Sequence, residues 1–246
     1  MSHEIFSDLE SLKLAIKNIN DDETASEMKK EISWEEWEEC QRYEFASKAP
    51  KFVSQEFEEK HWNKCIEPEK FMSSMMGIKW EGSLISSAVN KSIIEIGSGP
   101  WGLTLRTKDA LSCYAVEPLK LPSFCVKRYK DKGIKFVNKP GELITLKSLE
   151  LDQKFDEVWM SNVLQHTQNP FKILENLTNL GKIIRIFEWV EIPPHEGHPW
   201  KITADLIKSE LTKGADCIKS DQQYLNVQQG SYLFLGNVFA GIFKTD

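Results

Sequence analysis

The 246-residue chain has only five cysteines and five histidines, and it has no long apolar run. The cysteines stand at 40, 65, 113, 125 and 217, an odd number with no C-x-x-C pair. That spacing supports neither a disulfide framework nor a zinc knuckle, and it reads as the reduced thiols of a cytoplasmic protein. Apolar stretches stop after a handful of residues, well short of the ~20 that cross a bilayer. The opening Met1-Ser2-His3-Glu4 lacks the basic-then-apolar order of a secretory leader, so the expected location is the cytoplasm, with no membrane partner.

A basic stripe is also missing. Lys and Arg number 31 against 37 Asp and Glu, and residues 1–50 hold 13 acidic but only 6 basic side chains. The rest of the chain is close to neutral, which argues against long nucleic acid as a partner.

What is present changes character near residue 90. Before it the chain is acidic, helix-like and rich in Trp and Phe. Ser33-Trp34-Glu35-Glu36 has the form of a capping box, and Trp34, Trp37, Gln41, Glu44, Phe45 and Lys48 follow on one helical face. Such a helix either buries an aromatic face on the core or closes a pocket as a lid, with Gln41 and Glu44 turned inward to a substrate.

Beyond residue 90, short β-branched runs alternate with helix-like stretches, the pattern of a mostly parallel sheet. The expected strands are Ser92–Ile96, Cys113–Val116, Ile134–Val137, Glu157–Ser161 and Ile183–Trp189, then Gln222–Val227 and Tyr232–Phe243. The last two are separated by a short polar turn and read as an antiparallel hairpin. The expected architecture is α/β, a doubly wound seven-stranded, mostly parallel sheet with a terminal antiparallel hairpin. Residues 1–77 form a helical N-terminal cap and residues 78–246 the ligand-binding domain.

The segment Ile93-Ile94-Glu95-Ile96-Gly97-Ser98-Gly99-Pro100-Trp101-Gly102 runs a strand into G-x-G-x-x-G, with a short helix expected from Leu103. Gly97 permits a tight turn, Gly99 leaves room for a ligand against backbone, and Gly102 lets the helix pack closely. Glu117 stands twenty residues beyond Gly97 at the end of the next strand, where a carboxylate can accept both hydroxyls of a ribose. Glu95, before the first glycine, disfavours a pyrophosphate and suits an ammonium or sulfonium.

This spelling resembles the class I S-adenosylmethionine-dependent methyltransferases, over roughly residues 78–246. The resemblance implies S-adenosylmethionine as cofactor, held by Glu95, Gly97, Ser98, Gly99 and Gly102, with Glu117 and Pro118 after the second strand. Gly141 and Glu142 match the family's acidic position near the adenine amino group. Ser161 and Asn162 match the end of its fourth strand, and Asn162–His166 is similar to small-molecule members. Trp37-x-x-x-Gln41-x-x-Glu44 resembles their substrate-side helix. Two departures stand out: Asn-Pro-Pro-Tyr is absent after the fourth strand, and no Pro-Cys nucleophile follows it.

Two clusters carry candidate chemistry. His166 follows the fourth strand and reads either as a general base or as a residue beside adenine. Glu188 to Trp200, Glu-Trp-Val-Glu-Ile-Pro-Pro-His-Glu-Gly-His-Pro-Trp, reads as a proline-stiffened substrate loop. His198 is its leading base, Glu188 an orienting group and His195 a substrate contact. A metal held by His195, His198, Glu191 and Glu196 has the right ligand types but no regular spacing, and none is expected. The expected function is methyl transfer to a small-molecule acceptor, with oxygen favoured and a saccharide or secondary metabolite in view. The rivals are a non-catalytic S-adenosylmethionine- or partner-binding protein and an NAD-dependent oxidoreductase.

Overall fold

The computed structural model describes residues 70–118, 121, 123–193, 200–229 and 232–246. The expected cap helix, with Gln41 and Glu44, therefore lies outside the described residues, as do His195 and His198.

The strands are β1 (Trp80–Glu81), β2 (Leu84–Ile85), β3 (Ser92–Ile96), β4 (Ser112–Val116), β5 (Lys135–Val137), β6 (Phe155–Ser161), β7 (Gly181–Trp189), β8 (Asp216–Gln229) and β9 (Tyr232–Lys244). The α-helices with both ends described are α1 (Ser123–Asp131), α2 (Pro170–Leu180) and α3 (Ala204–Leu211). Seven strands form one sheet in the order β5-β4-β3-β6-β7-β9-β8. Strands β5, β4, β3, β6 and β7 run parallel, and β9 pairs antiparallel with both β7 and β8. Ile93, Ile94 and Ile96 of β3 are all buried, because a central parallel strand is covered on both faces.

One face packs Ile94, Val116, Val158, Met160, Ile184 and Ile186 against Ile173, Leu174 and Leu177 of α2 and Ile207 and Leu211 of α3. The other packs Ile93, Ala115, Trp159 and Phe187 against Cys125 and Tyr129 of α1 and the segment around Met76, Ile78 and Ile85. Met76 and Ile78 flank the expected boundary at residue 77 and lie in the same apolar cluster. On this face a buried carboxylate, Glu157, takes Lys91 Nζ at 2.6 Å, Arg185 Nε at 2.6 Å and Trp159 Nε1 at 2.8 Å. Burial raises the Glu157 pKa, but Arg185 and Lys91 outweigh it and leave the group below the usual value. Arg185 also donates to the carbonyl of Met76 at 2.9 Å, tying the chain before β1 to the sheet.

Two expectations need correction. No α-helix follows the glycine loop; Leu103–Arg106 forms a 3-10 turn instead. The chain must regain β4 by Ser112, and it is drawn back on the way by a bridge between Ile85 and Thr107. Strand β8 starts at Asp216, six residues before the expected Gln222. Its first half is an exposed edge with no apolar alternation to mark it, and it forms because β9 offers a free side.

The hairpin is longer than the sheet beside it. Strand β9 pairs with β7 from Val238 to Lys244, but with β8 from Tyr232 onward. Trp189, at the carboxyl end of β7, faces Val238, so the earlier residues of β9 rise past the carboxyl edge of the parallel strands.

Candidate functional site

A cavity of about 240 Å³ opens where the carboxyl ends of β3, β4, β5 and β6 meet. Strand order reverses between β3 and β6, the place where open α/β sheets bind ligands. Its walls bring together seven of the expected residues: Gly97, Glu117, Pro118, Gly141, Glu142, Asn162 and His166. Ile96, Pro140, Val163 and Ile173 supply apolar surface.

The glycine loop is held by acceptors from within the protein. The Gly97 and Ser98 amides donate to Val116 O at 2.9 and 3.0 Å. Gly99 N–H donates to Glu117 Oε2 at 2.8 Å, and Gly102 N–H to the Tyr129 hydroxyl at 3.0 Å. The Leu103 and Thr104 amides donate to Glu95 at 2.8 and 2.9 Å, and the Thr104 hydroxyl donates to the same carboxylate at 2.8 Å. Six amides of Gly97–Thr104 are thus engaged inside the protein, and Pro100 has none. A pyrophosphate cradle needs such donors free.

Glu95 is therefore not turned toward a ligand. Its side chain is buried beneath the loop and caps the 3-10 turn. Burial raises its pKa, the Thr104 and Leu103 bonds oppose that rise, and repulsion from Glu117 adds to it. Gly102 has a corrected role too. A Cβ there would fall 2.6 Å from both Glu95 Oε2 and the Tyr129 hydroxyl, so the glycine makes room for those groups, not for a helix. Tyr129 escaped the sequence reading, since a tyrosine on an amphipathic helix carries no signal of its target. Its hydroxyl also donates to Gly99 O at 2.7 Å. Burial, then the nearby Glu95, keep it a phenol well above its ordinary pKa.

On the far wall Glu142 Oε1 accepts from the amides of Gln168 and Asn169 at 3.0 and 3.2 Å. Buried Asn176 donates to the carbonyls of Gly141 and Glu142, at 3.1 and 2.9 Å, and so fixes that loop from behind. Asn176 was also missed, because an asparagine inside a helix pattern reads as surface. Asn162 adopts φ +58° and accepts from Gln165 Nε2 at 2.6 Å. That amide also lies 3.4 Å from His166 Nε2. Ser98 is buried, and its Oγ has no hydrogen-bond partner among the described residues. Ser161 is half-buried at the end of β6 and is not among the cavity-lining residues.

Glu188 is likewise corrected. It is not an orienting group on a substrate loop but a fully buried side chain at the end of β7. Its carboxyl group accepts the Val163 amide at 2.9 Å and the Leu164 amide at 3.1 Å. Glu191 forms an ion pair with Lys201 at 2.8 Å. Among the described residues no group of three His, Cys, Asp or Glu could hold a metal ion, and no helix is long and apolar enough to cross a membrane.

No family model and no curated protein matches the chain. Solved structures do. The N-methyltransferase NodS from Bradyrhizobium japonicum WM9, in complex with S-adenosyl-L-homocysteine, is similar with 12% identity and a TM-score of 0.46, over 65% of this chain and 80% of that one. The [4+2]-cyclase SpnF is similar with 11% identity and a TM-score of 0.49, over 65% and 76%. The strand order decides the fold: five parallel strands wound both ways from β3, then a last strand inserted antiparallel between β7 and the edge. This is a Rossmann-like fold with its last strand inserted antiparallel. In it, β3 carries the glycine loop and β4 ends in Glu117.

Proposed function

We propose that the chain binds S-adenosylmethionine in this cavity and transfers its methyl group to a small acceptor, with oxygen the favoured acceptor atom. The observation that carries this reading is the engagement of six of the seven Gly97–Thr104 amides inside the protein, beside the Glu117 carboxylate. A loop with its donors spent suits a ligand without phosphates, and a carboxylate at its rim suits a ribose diol. The slot between Ile96, Val163, Pro140 and Ile173 suits an adenine ring, and Glu117 and Glu142 make the walls friendly to a positive charge. The same observation speaks against an NAD-dependent oxidoreductase.

The donor supplies an electrophilic methyl carbon on a positively charged sulfur. This chain's part is to bind it, to hold the acceptor in line and to exclude water, for which positioning alone is worth ~7–11 kcal/mol. A hydroxyl acceptor must also lose a proton. His166, in the cavity wall, and His198, in the loop after β7, are the proposed bases. Gln41, Glu44 and His195 are proposed acceptor contacts, and residues 1–77 a cap over the site. A saccharide or a secondary metabolite fits an acceptor read by such polar groups.

The deciding experiment is calorimetry on the full chain with S-adenosylmethionine, S-adenosylhomocysteine and NAD. Binding of the first two and not the third is expected. Binding of NAD alone would overturn the reading, and binding of the first two without methylation of any acceptor class would favour a non-catalytic binding protein.

A further inference from the structure

Glu188 stands one residue before the end of β7, opposite Phe239 of β9, with Ile186 and Val190 on the same face. Its hydrogen bonds reach the loop that walls the cavity. Oε1 accepts both the Val163 and the Leu164 amides, at 2.9 and 3.1 Å, and Oε2 shares the Val163 amide at 3.1 Å. One oxygen therefore serves both donors whether the carboxyl group is neutral or ionised. Val163 and Asn162 line the cavity on the other side of that peptide. In a trans peptide the carbonyl points opposite to the N–H, so Asn162 O points away from Glu188. A negative charge on Glu188 strengthens the bond to Val163 N–H and polarises the Asn162–Val163 peptide with its negative end away from Glu188.

We propose that Glu188 is a positioning residue and a buried counter-charge, distinguishing a cationic ligand in the cavity from its neutral product through the Val163 and Leu164 amides. This rests on the reading of the cavity as a site for a sulfonium donor. Methyl transfer turns that cation into an uncharged thioether, so the charge facing the loop changes by one unit in each turnover. When the donor binds near pH 7.5, the ionised fraction of Glu188 rises and the released proton goes to solvent. When the thioether is left, the carboxylate takes a proton back.

The surroundings favour a responsive group. Burial pushes the Glu188 carboxyl up to about 8, and the bonds from Val163 and Leu164 pull the other way. Strand β9 faces it with Phe239 and Val238, and β7 flanks it with Phe187 and Trp189. In the β6–α2 loop, His166 is the titratable group, two residues past Leu164. Glu117 and Glu142 lie elsewhere in the cavity wall. On α2, Lys172 pairs with Glu175, and at α3, Glu210 pairs with Lys213 while Asp205 and Lys208 are exposed. Glu191 pairs with Lys201. Burial and the Val163 and Leu164 bonds set the Glu188 shift, and a cation in the cavity adds to the field there beside Glu117 and Glu142.

The test is a carboxyl ¹³C NMR titration of Glu-labelled full-length protein from pH 6 to 10, alone, with S-adenosylhomocysteine and with S-adenosylmethionine. The resonance missing in Glu188→Gln identifies the group. Its midpoint is expected near 8 alone and with the thioether, and lower by on the order of one unit with the sulfonium. If Glu188→Gln does not fold, Glu188→Asp supplies the assignment through a shifted resonance. Calorimetry of the wild type in buffers of different ionisation enthalpy gives an independent readout, a larger proton release with the donor than with the product once each free ligand's own titration is subtracted. Equal midpoints with both ligands bound would overturn the proposal and leave the cavity reading intact. Failure of either ligand to bind would overturn the cavity reading instead.

Discussion

Val163 lies on Gly97: a Cβ placed on that glycine would fall 2.3 Å from Val163 Cγ2. The contact joins the loop after β3 to the loop after β6 across the point where strand order reverses. Gly97 also has φ +73°, where a side chain is strained. The two effects act together. Gly97→Ala should destabilise the fold by about 2–4 kcal/mol and weaken nucleoside binding more than tenfold. Gly99→Ala is the control, since its φ is +57° but nothing lies within 4 Å of its Cβ. It should cost only about 1–2 kcal/mol. Urea unfolding of both variants checks this, and equal losses would show that the Val163 contact is not limiting.

Glu117→Gln should keep the fold and weaken S-adenosylhomocysteine binding by about 1.5–3 kcal/mol, the loss of a charge-assisted acceptor for the ribose. An amide still offers an oxygen to the Gly99 amide, so stability should change little. Unchanged affinity in calorimetry would move the ribose away from Glu117.

Glu95→Ala removes the acceptor of two buried amides and one hydroxyl at the start of the 3-10 turn. Stranded donors of this kind cost about 1–3 kcal/mol each, and the melting temperature should drop accordingly. Glu95→Gln should recover part of the loss. A melting temperature within a degree of wild type for the alanine variant would mean that the turn is held elsewhere.

Stability should fall with rising pH because of Glu188. Its carboxyl group titrates at about 8 in the folded protein against an ordinary value of 4.5. Between those values the native state holds a proton that the unfolded chain has released. The contribution is complete below pH 4.5 and is lost as pH rises through 8. Urea unfolding at pH 5, 7 and 9 should show a steeper decline for wild type than for Glu188→Gln. Parallel declines would assign the pH dependence to other groups.

Arg185→Met should cost about 3 kcal/mol, because it leaves the buried Glu157 carboxylate with Lys91 as its remaining ionic partner. Replacing Glu157 by Leu in the same chain should recover much of that loss. A double variant as unstable as the single one would point instead to the lost bond between Arg185 and the Met76 carbonyl.

Much of the sheet was legible because each strand is a local pattern. Ile93, Ile94 and Ile96 mark a strand covered on both sides, and the polar turn before Tyr232 marks a hairpin. Gly97, Glu117 and Asn162 could be named as cavity residues because strand ends in this architecture face one edge. The start of β8 was not legible, since Asp216–Ser220 pairs with Gly241–Lys244, far along the chain, and buries almost nothing.

Sequence alone determined the strand–glycine loop–strand–acid order, and with it the edge of the sheet where the cavity opens, because these depend on steps of a few residues. It could not tell which carboxylate lines the cavity. Glu95, Glu117 and Glu188 all stand at or near the ends of parallel strands and all accept loop amides, yet of the three Glu117 alone lines the cavity. Side-chain alternation, the 3-10 turn in place of a helix and the approach of the β6 loop to β7 made that choice. A buried amide must find an acceptor, and only the packed tertiary structure shows which one it has found.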